Sequence, residues 1–207
     1  ALMVGSGNVG LIVSYQMIQA GINVKAVVEA MPKIGGYFVH AAKLRRLGVP
    51  ILTSHTIKEV SGNGNVECAT IVKLDSQWNP IAGTEREISV DLVCIAVGLT
   101  PSSELLFQGG CKNVYIPELG GWIAWHDRNL ETSVKGIYVA GDVSGIEEAS
   151  TAMIEGKIAG LHAGMKIAKT DKFKGELQKA MKELENLRQG PFGEKPRKGK
   201  EKLWVSK

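Results

Sequence analysis

Gly5-Ser6-Gly7-Asn8-Val9-Gly10 and Glu29 are the residues whose types and spacing point most directly to chemistry. Three glycines at that spacing give a tight turn that faces a phosphate. Gly5 permits the turn, Gly7 leaves the backbone open to a pyrophosphate, and Gly10 lets the following helix sit close to the strands. That helix aims free N–H groups and the positive end of its dipole at negative charge. Glu29 follows Gly10 by 19 residues. A carboxylate there accepts hydrogen bonds from both hydroxyls of an adenosine ribose and repels a 2′-phosphate, which favours NAD over NADP. Lys33, just beyond, tempers that preference. Two other readings stay open on these residues alone: a Gly-rich turn without a ligand, and a site for some other adenine nucleotide.

Two further positions share this character. Asp91 to Gly98 is a continuous apolar run ending in glycine, which reads as a buried parallel strand. Gly98 then lies at the strand end where open α/β sheets bind ligands. Gly136 to Val143 reads as an apolar strand ending in Gly141-Asp142, with a helix from near Glu148 to about Ala168. Asp142 is placed to accept a hydrogen bond from a ribityl hydroxyl. The N–H groups opening the next helix are placed to stabilise negative charge on a reduced flavin ring. Ala149, Ser150 and Thr151 keep that approach clear. A plain strand–turn–helix with a solvated Asp142 is the alternative.

The elements that hold these residues follow from periodicity. Ala1 to Val4 is an apolar strand, Val13, Met17, Ile18 and Ala20 mark a helix, and Val24 to Glu29 is a second strand. Ala30 to Gly36 reads as a loop, Tyr37 to Leu47 as a helix and Val49 to Leu52 as a third strand, which completes a βαβαβ unit. Thr56–Val60, Val66–Leu74 and Glu85–Val90 alternate like the strands of an antiparallel meander, with Trp78 in a turn. Trp122 to Asp127 reads as an edge strand, and Trp122 and Trp125 suit either packing on a flavin or an interface. His40 and His55 read as surface or capping residues.

The 207 residues suffice for one or two small domains, and the composition, 44% hydrophobic and 22% charged, is globular. No apolar run reaches the length of a membrane span, and no signal peptide is seen. The chain starts inside a strand without a Met, which reads as a fragment or one piece of a larger protein. Cys68, Cys94 and Cys111 are isolated, so neither a dithiol centre nor a metal site is supported, and a reduced cytoplasmic setting is expected. Cys68 and Cys94 read as small buried hydrophobes. Residues 166–207 carry 13 Lys/Arg and 6 Asp/Glu, so the basic character belongs to the tail. Asp171 to Leu187 is an amphipathic helix, and residues 189–207 read as a basic, flexible tail in which nucleic-acid binding is a distant option.

The order GSGNVG, acid-ended strand, meander, CIAVGLTPSS and LETSVKGIYVAGDVSG followed by a small-residue helix resembles the pyridine nucleotide–disulfide oxidoreductase superfamily. The likeness covers roughly residues 1–168. It implies a Rossmann-type α/β fold: a parallel sheet with an inserted antiparallel meander (1–98), then the C-terminal part of a second, FAD-binding dinucleotide fold (99–168). By it, Gly5, Ser6, Gly7, Asn8, Val9, Gly10, Glu29 and Gly98 match nicotinamide-nucleotide positions, and Gly141, Asp142, Ala149 and Ser150 match FAD positions. The family's earlier GxGxxG is absent from this sequence. The FAD site would be completed by a missing N-terminal portion or by a partner subunit in a hetero-oligomer. Without a cysteine pair, the thioredoxin-reductase branch is set aside. The GDVSGIEEASTAMIEGKIAG stretch is most similar to the alpha subunits of sarcosine oxidase and dye-linked proline dehydrogenase. That implies a flavin-dependent oxidoreductase component acting on NADH or an amine or amino-acid substrate. The alternative is a non-catalytic subunit that holds an adenine nucleotide structurally.

Overall fold

A computed structural model describes residues 1–190 and 193–206. The chain forms two compact units, Ala1–Gly98 and Leu99–Lys207.

In the first unit, β1 (Leu2–Val4), α1 (Asn8–Gln19), β2 (Ala26–Glu29), α2 (Phe38–Arg46) and β3 (Ile51–Thr53) follow in order. β4 (His55–Ser61), β5 (Cys68–Lys73) and β6 (Arg86–Ser89) form an antiparallel meander, and β7 (Val93–Ile95) returns to the parallel sheet. That sheet has the order β3-β2-β1-β7. Leu2 stands opposite Ala26 on one side and Val93 on the other. Side chains alternate between the two faces of a strand, so β1 and β2 serve two cores at once. Met3 and Val27 meet Leu11 of α1 and Ala41 and Leu44 of α2. Leu2, Val4, Ala26 and Val28 meet Ala69 and Ile71 of the meander. The helices cover one face of the sheet and the meander covers the other. This is why β1 and β2 read as unbroken apolar runs.

β7 departs from expectation. It pairs with β1 alone among the described strands, and Ile95 is 72% exposed, so it is an edge strand rather than a buried one. Cys94 beside it is half-buried, as is Cys68, while Cys111 is fully buried. Trp78 does lie in a turn, with φ of 67°.

In the second unit, α3 (Glu104–Gln108) precedes a hairpin of β8 (Asn113–Ile116) and β9 (Gly121–Ala124). Three helices follow: α4 (Ala149–Ala168), α5 (Lys174–Leu187) and α6 (Glu194–Val205). α4 and α5 share a core of Ile158, Ala159, Leu177, Ala180 and Leu184. α6 packs Leu203 on Ile116, Leu119 and Ile123.

Two expectations are corrected here. Residues 136–143 do not form a strand. Tyr138 makes one isolated bridge, to Glu131, and residues 141–144 coil into a short 3-10 turn. Residues 130–132 run antiparallel beside 137–139, with the Thr132 N–H on the Ile137 oxygen and the Val139 N–H on the Leu130 oxygen, but the chain coils at Gly141 before a longer ladder forms. The tail is not flexible where it is described. Residues 194–205 are helical, and Lys200 and Leu203 are buried. The charge of the tail favours solvation, yet Leu203 and Lys200 are turned inward. Pro191, Phe192 and Lys207, also assigned to that tail, lie outside the described residues. Among the described residues, no helix is long and apolar enough to cross a membrane.

Leu44 is fully buried between α2 and the sheet. Leu44→Ala is expected to lower the stability of the first unit by about 2–5 kcal/mol, read by denaturant unfolding.

Candidate dinucleotide-binding site

The first site sits where β1 runs into α1. Gly5 has φ of +104°, and a Cβ on it would lie 2.1 Å from the Ala96 carbonyl oxygen. Only glycine can turn there. A Cβ on Gly10 would lie 2.2 Å from the Gly5 oxygen, so the helix rests directly on the turn. Gly7 is the opposite case. Nothing stands within 4 Å of its missing side chain, and no side chain caps the first turn of α1. The turn is therefore closed on its sheet side and open on one outer face. Helical N–H groups are presented there to an anion.

Glu29 ends β2 beside this turn. Its Oε2 accepts hydrogen bonds from the Ser6 N–H at 2.8 Å and the Ser6 hydroxyl at 2.6 Å. Its Oε1 accepts the Met31 N–H at 2.9 Å. A carboxylate has about four acceptor sites, so Oε1 keeps room for a ribose hydroxyl. Ser6 is itself fully buried.

The loop after β2 lies across the turn. The Gly36 N–H donates to the Ser6 oxygen at 2.8 Å, the Gly35 N–H to the Ser6 Oγ at 3.1 Å and the Tyr37 N–H to the Asn8 Oδ1 at 2.8 Å. A Cβ on Gly36 would lie 2.8 Å from the Asn8 nitrogen. Gly35 and Gly36 are thus part of the site's frame and more than a connecting loop. Their adjacency as a Gly-Gly pair after the acid was the available signal. Lys33 is exposed on the same loop, and Val9 is exposed on α1. Gly98 has φ of +137° and open space around it.

The second group of residues lies in the second unit. Gly141 has φ of +73° and opens the 3-10 turn that carries Asp142, which is exposed. Ala149 and Ser150 are exposed in the first turn of α4, where no side chain caps the helix. A loop acid and a bare helix start in one unit suit a polyol and an electron-rich ring system, so these residues fit the flavin role. Trp122 is 56% exposed and meets Tyr115 edge-on at 5.4 Å.

Beneath the turn is a buried network that no sequence pattern announced. Glu155 Oε2 accepts the Gly141 N–H at 2.9 Å and the Ser144 hydroxyl at 2.6 Å. Its Oε1 accepts Arg188 Nη2 at 2.6 Å and Lys200 Nζ at 3.0 Å. Arg188 also grips both oxygens of Glu147. Lys200 donates to His126 Nε2 at 3.1 Å and to the Ser144 carbonyl and hydroxyl oxygens at 2.9 Å each. A lysine only donates, so His126 accepts on Nε2 and carries its proton on Nδ1, which donates to the Ala124 oxygen. Burial, seconded by the Lys200 charge, pushes the His126 pKa from 6.5 to about 3. Burial drives Glu155 up, but Lys200 and the Ser144 hydroxyl outweigh it and hold the carboxyl below its usual range. Burial lowers the pKa of Lys200 against the opposing pull of Glu155.

A profile of the pyridine nucleotide-disulphide oxidoreductase family matches residues 1–156. The chain belongs to that family. Its members are FAD- and NAD(P)-dependent oxidoreductases, and the fold of this member is theirs. The dihydrolipoyl dehydrogenase of Pseudomonas aeruginosa is 34% identical over 79% of the chain and 33% of that protein. The hydrogen cyanide synthase subunit HcnB of the same organism is 26% identical over 77% of the chain and 38% of that protein. The thioredoxin reductase of T. acidophilum superimposes with a TM-score of 0.67 at 26% identity, over 82% of the chain and 52% of that structure. The chain therefore spans about a third of these curated relatives. The likeness to a thioredoxin reductase lies in the fold. The three cysteines of this chain are free and far apart in sequence.

Three outcomes are expected. Gly5→Ala should destabilise the first unit by about 3 kcal/mol or more, because it combines a left-handed backbone with a backbone clash. Gly7→Ala should change thermal stability by no more than about 1 kcal/mol, while NADH binding, read by calorimetry, is lost. His126 is neutral when folded and charged when unfolded between pH 6.5 and about 3. The second unit should then lose on the order of 4 kcal/mol of stability as pH falls through that window. His126→Gln should flatten that slope in urea titrations.

Proposed function

We propose that this chain carries the nicotinamide-nucleotide site and the C-terminal part of the FAD site of a flavin oxidoreductase. The observation that carries the reading is the open face of Gly7, set between the uncapped start of α1 and the carboxylate of Glu29. The amides of the first turn of α1 hold the pyrophosphate, and Glu29 Oε1 accepts a hydroxyl of the adenosine ribose. The carboxylate disfavours a 2′-phosphate, so NADH is the preferred nucleotide.

In the second unit Asp142 accepts a hydrogen bond from the ribityl chain, and the start of α4 at Ala149 and Ser150 faces the negative charge of the reduced ring. FAD, when bound, supplies the redox chemistry. The chain's own residues bind and orient, and no side chain is assigned as acid or base. The rest of the FAD site comes from a further portion of the protein or from a partner subunit. The 26% identity to a subunit of hydrogen cyanide synthase supports a place in a multi-subunit enzyme. It is also consistent with the sarcosine oxidase-like branch, with an amine or amino acid as the organic substrate. Three free cysteines fit a reducing, cytoplasmic setting.

A second reading has one observation behind it. Glu29 already serves the fold through Ser6 and Met31, so the same architecture would hold an adenine nucleotide purely structurally.

Amide NMR of the chain during titration separates these readings. NADH should shift the signals of Gly5 to Gly10 and Met31, and FAD should shift those of Gly141, Asp142, Ala149 and Ser150. ADP binding as tightly as NADH would favour the structural site. FAD leaving the Gly141–Ser150 signals unmoved would remove the flavin assignment. Glu29→Ala should weaken NADH binding. It should also cost about 1–3 kcal/mol of stability, because the Ser6 donors lose their acceptor.

A further inference from the structure

Lys200 is a fully buried cation on the last helix, 56 residues beyond the serine it holds. It lies outside the residues matched by the family profile. Its contacts all converge on one place. Ser144, the last residue of the Gly141–Ser144 turn, is bonded to it through both backbone and side chain. Glu155, which accepts the Gly141 N–H at the start of the turn, is bonded to it as well. His126 completes the ring from the residues just after β9. Four charges meet there, Arg188 and Lys200 against Glu147 and Glu155, so the group is neutral as a whole.

The surrounding packing is built for this insertion. A Cβ on Gly199 would lie 2.6 Å from Leu119 Cγ, so glycine lets α6 press against the segment that follows β8. Leu203, one turn on, is fully buried beside Leu119 and Ile123. Lys202 pairs with Glu118, and Lys112 reaches the Ser206 carbonyl oxygen. A buried ammonium is retained only where its charge and its donors are matched. Here every match lies under the turn that presents Asp142.

We infer that Lys200 is a positioning residue: the terminal helix carries it beneath the Gly141–Ser144 turn, where it fixes Ser144 and Glu155 and so sets the shape in which Asp142 faces the flavin. This rests on the flavin reading of Asp142, and it adds the far C-terminus to that site. Removing Lys200 leaves Glu155 with Arg188 as its one cation and gives the network a net negative charge, directly under the place assigned to FAD. The turn then loses two of its ties, while α4 and α5 keep their apolar core.

Amide hydrogen exchange on the full 207-residue chain decides the matter, with Lys200→Met as the variant and Leu177→Ala as the control. Leu177 is apolar and buried in the α4–α5 core. Lys200→Met should speed exchange at Gly141, Ser144 and Gly145 about tenfold relative to the α4–α5 amides. Leu177→Ala should lower thermal stability and leave that ratio unchanged. FAD titration of both variants follows the Asp142 and Ser150 signals, and only Lys200→Met should weaken the response. Exchange in the turn that stays in step with α4 and α5 in Lys200→Met overturns the inference. Turn exchange that accelerates, in a chain whose wild-type Asp142 signal ignores FAD, upholds the hold of Lys200 on the turn and overturns the flavin reading.

Discussion

A glutamate that accepts a serine hydroxyl and a backbone N–H is the interaction on which both units depend. In the first unit Glu29 takes the Ser6 N–H and hydroxyl, and in the second Glu155 takes the Gly141 N–H and the Ser144 hydroxyl. Each glutamate comes from a neighbouring element and ties down a turn rich in glycine. Such turns have little of their own to hold them, because glycine loses the most freedom on ordering and adds no side chain to pack. A charge-assisted hydrogen bond is roughly twice as strong as a neutral one, which suits it to offsetting that loss.

The two glutamates differ in what surrounds them. Glu29 is half-buried, accepts from the Ser6 N–H and hydroxyl and the Met31 N–H, and keeps acceptor capacity toward the open face of Gly7. Glu155 is 1% exposed, and all its visible capacity is spent on Gly141, Ser144, Arg188 and Lys200. The first is available to a ligand as well as to the fold. The second can only be architectural, and its charge is matched inside the protein because water cannot reach it.

Much of this was legible in the sequence. The glycine spacing with Glu29 located the first turn, and the apolar runs of β1 and β2 marked strands covered on both faces. The helix after Gly141-Asp142 was equally plain, and it runs over Ala149–Ala168. Other features were not legible, for physical reasons. The exposure of β7 follows from the absence of a second pairing partner among the described strands, which its own apolar residues cannot reveal. The segment 136–143 has strand-like composition, but composition does not show that its pairing with residues 130–132 stops short and that it coils at Gly141. The burial of Lys200 was hidden among so many solvated lysines, since a buried one differs only in what lies opposite it. Gly35 and Gly36 looked like loop punctuation until their N–H groups were found on Ser6.

The position of β1 has a consequence for the order of events during synthesis. The strand precedes both of its neighbours in the chain, yet it occupies an inner place in the sheet, between β2 and a β7 that lies some ninety residues later. Leu2 can meet Ala26 early, but its other edge stays unpaired until Val93 has left the ribosome. At the usual pace of about 5–20 residues per second, that is a wait of several seconds. Closing so long a loop is also slow in its own right. The tetrapeptide Ala1–Val4, wholly apolar, is thus the part of the first unit most in need of shelter while that gap lasts.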